Sequence, residues 1–241
     1  MLSLSPARRR KLQDFFHLLG LHVERYDPNR HIADLKRYLS RENPVIFDIG
    51  ANQGQTLRLF QRKIPRATIH SFEPSPGVFS SFLSKIDGPN LHVWNMGIGA
   101  KAGKLTLHEN ERSDLTSFLP IGTEGWGAIV RETSVEVTTI DDFCQKYGIE
   151  YIDVLKSDTQ GFEYEVFKGA DRWLSEGRIG LIYFELLFTR QYGGQPSYGA
   201  ILDFLVQRDY RLVRFYEMHG HLGLTGWTNV LFVHDSLVNS G

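Results

Sequence analysis

The sequence predicts an α/β domain built on a doubly wound, mostly parallel sheet. Three observations predict it. From residue 44 onward, short apolar runs alternate with helical patterns. The first five runs are nearly continuous rather than alternating, as strands buried on both faces are. The first of them, "VIFDIGANQGQT", breaks into a glycine-rich turn that opens a helix. A chain of 241 residues suffices for one such core. With 41% apolar residues, 23% charged residues and a net charge of −1, it carries no electrostatic commitment to nucleic acid or anionic membrane.

Residues 1–43 form a helical extension ahead of a domain spanning 44–241. Ser5-Pro6 opens a helix in which Leu12, Phe15, Phe16 and Leu19 recur at i, i+3, i+4 and i+7, and Gly20 closes it. Arg8, Arg9, Arg10 and Lys11 make it basic, which reads as a solvated face before it reads as a membrane or oligomer contact. Ile32, Leu35, Tyr38 and Leu39 repeat the pattern less cleanly. The strand runs follow: "VIFDIG", "ATIHSFEP", "LHVWNMGIG", "IDVLKSD", "IGLIYFELLF", "RLVRFY" and "NVLFVHD". Helical patterns between them span Gln55–Lys63, Gly77–Ile86, Glu163–Leu174 and Tyr198–Gln207. Between Lys101 and Thr139, "KLTLHE" and "SVEVTTI" read as an inserted antiparallel hairpin over the strand ends.

A single cysteine, Cys144, leaves no internal disulfide and fits a reducing compartment. In "MLSLSPARRR" the arginines follow the short apolar stretch, the wrong order for a secretory signal, and no run is long enough to span a bilayer. The expected location is the cytoplasm.

The first turn decides the ligand. A dinucleotide fingerprint needs three glycines so that pyrophosphate can approach bare backbone. Here Asp48 stands at the first of those positions, in D-I-G-A-N-Q-G, and would repel pyrophosphate. It suits a ligand with positive groups and no phosphate, and S-adenosylmethionine, with an ammonium and a sulfonium, is such a ligand. Gly50 and Gly54 allow close approach, Asn52 lies between them, and Asp48 can bond the ammonium directly or through loop amides and water. Glu73 ends the next strand run, 25 residues after Asp48, near the spacing of about 20 for a ribose-binding acid. An NAD(P)-dependent oxidoreductase is the outside alternative, and Asp48 counts against it.

The blocks "VIFDIGANQGQT", "IHSFEPSP", "NMGIGAKAGKLTL", "TTIDDF", "IDVLKSDTQGFEYEVFKGA" and "IYFELLF" resemble, in order, the successive motifs of FkbM-type methyltransferases. "LKSDTQGFEYEVFKGA" follows the family pattern L-K-x-D-x-E/Q-G-x-E-x-x-V-L-x-G-A, with Phe167 in place of the usual leucine. The resemblance implies a class I, Rossmann-like S-adenosylmethionine-dependent fold with a mixed seven-stranded sheet. It implies methylation of a hydroxyl on a sugar, polysaccharide or natural product. It also places Met96 and Gly97, in Asn95–Gly99, at the adenine pocket.

Lys156 and Asp158 lie two residues apart at the end of the fourth core strand and share a face. Charges at the tip of a buried strand must be paired or functional. Glu185 ends the next strand run. Asp158 can act as general base towards the acceptor, with Lys156 and Glu185 orienting it. Alternatively Asp158 and Glu185 hold a divalent cation, although two carboxylates alone make a poor site and metal-independent chemistry is favoured. Glu163, in the first turn of the following helix, reads as structural.

Acceptor recognition falls to three loops. They supply Ser117 from "SDLTSF" with Trp126, Tyr192 from "TRQYGGQPSY", and His219, His221 and Trp227 from "EMHGHLGLTGWTN". Hydroxyls, amides and aromatic rings suit a polyhydroxylated ligand. Expected partners are therefore a small-molecule or saccharide acceptor and, as a candidate, a second copy of the chain. N-methylation of an amino sugar and a non-catalytic module retaining the fold are the competing readings.

Overall fold

The computed structural model describes Asp27 and residues 29–238. The basic helix expected over Ser5–Gly20 lies outside the described residues. Seven strands form the main sheet: β1 (Val45–Ile49), β2 (Thr68–Phe72), β3 (Leu91–Trp94), β7 (Ile152–Ser157), β8 (Ile179–Leu187), β9 (Tyr210–His221) and β10 (Leu224–His234). Their order is β3-β2-β1-β7-β8-β10-β9. β10 runs antiparallel to both its neighbours, and the other ladders are parallel. This is the mixed, doubly wound seven-stranded sheet that the resemblance implies. The five near-continuous runs supply its five parallel strands, of which β1, β2, β7 and β8 are buried and β3, at the edge, is only partly so.

Helices cover both faces because successive strand residues point to opposite sides. Ile46, Ile69, Val154, Leu181 and Leu231 pack with Ile32 and Leu35 of α1 (Arg30–Tyr38) and with Leu57 and Phe60 of α2 (Gln55–Lys63). Phe47, Phe72, Leu155 and Phe184 face α4 (Ile140–Tyr147), α5 (Glu163–Lys168), α6 (Asp171–Ser175) and α7 (Tyr198–Val206). A short α3 (Pro76–Ser81) follows β2, with Ser75 as its N-cap and Pro76 in its first turn. The last helix, α8 (Asp235–Val238), ends the described chain. Among the described residues no helix is long and apolar enough to cross a membrane.

Three expectations change. The 163–174 helix is two helices, broken where Gly169 lets the chain pass against Gly99. A Cβ on Gly169 would lie 2.0 Å from the Gly99 carbonyl oxygen. The "LHVWNMGIG" run splits after Trp94, and β4 (Gly97–Ile98) joins a second sheet. There β4 pairs in parallel with β6 (Ile129–Thr138), which is antiparallel to β5 (Gly103–Asn110). The inserted hairpin is thus a three-stranded sheet. The strand and helix alternation also left α4 unassigned, although Thr139 caps its start and Gly148 at φ +65° ends it.

Candidate active site

The chain reverses direction across the sheet between β1 and β7, so the loops at their carboxyl ends part and leave a crevice. A cavity of about 380 Å³ lies there. One wall comes from the β1 and β2 tips (Ile49, Gly50, Asn52, Phe72, Glu73) together with Met96–Ile98. Its floor holds Asp158, Thr159, Gln160 and Glu185. The opposite wall comes from the insertion, Arg112 to Phe118, with Trp126 and Trp227.

The first wall is built around Glu73. Its Oε2 accepts the Asn52 amide at 2.8 Å and its Oε1 the Ser75 amide at 2.8 Å, so one carboxylate ties the two strand-end loops together. Burial pushes this carboxyl up to about 7, against the two backbone N–H groups that favour its charge. Gly50 sits at φ +74°, and a Cβ there would lie 1.9 Å from the Asp158 carbonyl oxygen, so only glycine fits. Asn52 lines the cavity with its Oδ1 buried and without a hydrogen-bond partner, an acceptor left open for a donor such as an ammonium. These features fit S-adenosylmethionine. Glu73 retains lone pairs for ribose hydroxyls, and the apolar stretch from Met96 to Ile98 offers a flank for adenine.

Two of the expected coenzyme contacts need correction. Asp48 is fully buried and does not line the cavity. Its register partner across the ladder is Lys156, whose Nζ lies 3.0 Å from Asp48 Oδ1. The negative strand tip is thus already neutralised from within, and Asp48 lies behind the cavity wall. Gly54 also stands away from the cavity. Its Cβ would meet Ile86 Cδ1 at 2.3 Å, so its smallness serves packing at the start of α2.

Lys156 is corrected with Asp48. It is buried, donates to the Gly50 carbonyl at 3.0 Å and lies 3.9 Å from Asp158 Oδ2. Burial disfavours its charge, but the carboxylates of Asp48 and Asp158 outweigh that and raise its proton affinity. It fixes the β1 loop rather than facing an acceptor.

Asp158 and Glu185 do come together, through Gln160 in the loop after β7. Gln160 Nε2 donates to Asp158 Oδ1 and to Glu185 Oε2, each at 2.9 Å. The Tyr192 hydroxyl donates to Gln160 Oε1 at 2.8 Å. Chemistry fixes the orientation of this amide, since its NH₂ end alone can serve two carboxylates. Gln160 holds a left-handed φ of +56°, and its carbonyl accepts the Ser117 hydroxyl at 2.8 Å. Burial, then the charges of Asp158 and Glu163, raise the Glu185 proton affinity well above that of an ordinary carboxylate. Glu163 accepts the Thr159 amide at 2.6 Å and its hydroxyl at 2.9 Å, and burial pushes it up to about 7. It holds the loop that carries Asp158. Among the described residues no three His, Cys, Asp or Glu side chains gather to hold a metal ion.

On the acceptor side, Trp126 and Trp227 line the cavity with ring centroids 5.8 Å apart. His219 stacks on Trp227 at 5.1 Å and does not line the cavity itself. His221 packs on Trp126 at 4.5 Å, its Nε2 2.7 Å from the Glu124 carbonyl oxygen. Ser117 lines the cavity, but its hydroxyl is engaged by the Gln160 carbonyl and the Leu119 amide. Tyr192 is buried and is among the residues lining a different cleft. Arg112 and Asp114, which pair with each other at 2.6 Å, and Gln191 also line the cavity. Arg112 and Gln191 sit outside regular elements, and Asp114 lies in a short 3-10 turn, Ser113–Leu115, within the "SDLTSF" segment.

The family described as the methyltransferase FkbM domain matches residues 48–212. A 2-O-methyltransferase, NoeI of Sinorhizobium fredii, is 28% identical over 210 residues, 82% of this chain and 84% of its own length. A hexuronic acid methyltransferase, AglP of Haloferax volcanii, is 25% identical over 134 residues, 54% of this chain and 51% of its own length. A solved FkbM methyltransferase from Methylobacillus flagellatus overlays 80% of this chain and 44% of its own, at 16% identity and a TM-score of 0.48.

Proposed function

The chain belongs to the FkbM methyltransferase family, and on that premise we propose that it methylates a hydroxyl of a saccharide or hydroxylated natural product. The coenzyme is S-adenosylmethionine, which supplies a methyl group already activated on a sulfonium. The observation that carries the reading is the carboxylate pair on the cavity floor. Asp158 and Glu185 lie between the loop held by Glu73 and the wall bearing Trp126 and Trp227. A neutral hydroxyl is a weak nucleophile and gains most from losing its proton as it attacks. The names of NoeI and AglP, an O-methyltransferase and a uronic acid methyltransferase, support the same acceptor class.

The division of work follows from the environments. Asp158 is partly open to the cavity, with a side-chain exposure of 41%, and takes the acceptor proton. Burial, with the charges of Asp158 and Glu163 beside it, raises the proton affinity of Glu185, which orients the acceptor hydroxyl beside the more open Asp158. Gln160 holds both in place, and Lys156 limits the negative charge of the site. Trp126 and Trp227 offer apolar faces on which a sugar ring stacks. The insertion wall excludes water and aligns the hydroxyl, which is most of what an in-line transfer requires.

The test is to incubate the chain with S-adenosylmethionine and a panel of saccharides, amino sugars and hydroxylated natural products. Products are then read by mass spectrometry. A gain of one CH₂ on a hydroxyl supports the reading. A gain confined to amines would overturn the hydroxyl assignment.

A further inference from the structure

A second, larger cleft of about 730 Å³ lies beside the first, and nothing in the reading above uses it. The two share a wall, the loop that leaves β8. Gln191 lines the first cavity, whereas Arg190 and Tyr192 line the second. That wall is rigid. Gly122 N donates to the Gln191 carbonyl at 2.7 Å, Glu124 N to the Arg190 carbonyl at 3.0 Å and Gly193 N to the Pro120 carbonyl at 2.8 Å. Gln195 closes the loop on itself, accepting the Tyr192 amide and donating to the Thr189 carbonyl, each at 2.8 Å. A cleft with such walls is preformed and costs little ordering on binding.

Its chemistry suits carbohydrate. Tyr198 leaves 48% of its surface exposed beside Phe188, their ring centroids 5.3 Å apart and their planes at 66°. The exposed Arg190 side chain has no ion-pair partner among the described residues, so its guanidinium is available to hydroxyl or carboxylate oxygens. An aromatic face beside a planar fork of donors recognises a sugar ring with its oxygens at the rim.

Tyr192 joins the two sites. It is one of the residues lining the second cleft, while its hydroxyl orients the Gln160 amide that bridges Asp158 and Glu185. We infer that the second cleft is a distal subsite for the sugar units that neighbour the methylated one. The acceptor is then an oligosaccharide chain rather than a free monosaccharide. The inference rests on the saccharide reading above and narrows it. Remote units held there are a source of binding energy that Tyr192 can relay to the catalytic carboxylates.

The experiment compares mono-, di- and trisaccharides of glucose, N-acetylglucosamine and glucuronic acid as acceptors, with methylation read by mass gain. For the accepted sugar type, kcat/KM is expected to be roughly tenfold or more higher for the trisaccharide than for the monosaccharide. Tyr198→Ala should raise KM for the trisaccharide and narrow that gap to about threefold. Tyr192→Phe keeps the ring and removes the hydroxyl. It should lower kcat while leaving the trisaccharide KM close to its original value. Equal kcat/KM for monosaccharide and trisaccharide would overturn the subsite and leave the saccharide reading intact. Methylation of no saccharide at all would overturn both. Calorimetric titration of the trisaccharide into Tyr198→Ala gives a readout free of turnover, and unchanged affinity would also overturn the subsite.

Discussion

Lys156 Nζ lies 3.0 Å from the buried carboxylate of Asp48, its register partner on the neighbouring strand. The pair sits beneath the β1 loop that forms one wall of the cavity. Removing one partner strands a buried charge, whereas removing both does not. Lys156→Met is therefore expected to cost roughly 3–5 kcal/mol of stability. Lys156→Met combined with Asp48→Asn should recover much of that loss. Denaturant unfolding of the single and double variants checks it, and additive losses would show that the two charges do not compensate each other.

Glu73 has both oxygens committed to backbone amides, of Asn52 and Ser75. A glutamine presents one oxygen and one NH₂, so it can serve only one of them and sets a donor against the other. Glu73→Gln should weaken S-adenosylhomocysteine binding roughly tenfold or more, about 1.4 kcal/mol, through loss of loop geometry and of a ribose acceptor. Isothermal titration calorimetry reads this directly. Unchanged affinity would remove Glu73 from the coenzyme site.

Asp158 can be changed with little disturbance to its surroundings. Asparagine keeps an oxygen to accept the Gln160 amide and loses the capacity to take a proton, together with a negative charge 3.9 Å from Lys156. Asp158→Asn should lower kcat roughly 100-fold or more while leaving S-adenosylhomocysteine affinity within about threefold. A rate close to that of the unaltered protein would end its role as base.

Glu163 ties the fold to pH. Its carboxyl is held near 7 in the folded chain against an ordinary value of 4.5, with burial as the main cause. The folded state therefore binds this proton more tightly than the unfolded state. Its contribution to stability is fully present below pH 4.5 and is lost as pH rises through about 7. Glu163→Gln keeps an oxygen for both Thr159 donors and needs no proton. It should stabilise the chain at pH 8 by up to roughly 3 kcal/mol and hardly change it near pH 4. Thermal melts at the two pH values test this, and equal shifts at both would sink the assignment.

The sequence by itself determined the sheet and its ligand crevice. Continuous apolar runs specify strands buried on both faces, and the turn at Gly50 together with Glu73 at the next strand end marks one wall of the cavity. Those signals are local, a period or a backbone constraint written in consecutive residues. What only the tertiary structure decided was which charges face each other. Asp48 reads as a ligand contact in one dimension. It becomes an internal counter-ion because Lys156, more than a hundred residues away, is its neighbour across the β1–β7 ladder. The bridge of Gln160 between Asp158 and Glu185, and the place of Tyr192 between two clefts, likewise arise from side chains on separate strands and loops. Electrostatic and hydrogen-bond partners are chosen by distance in space, which a linear pattern does not encode.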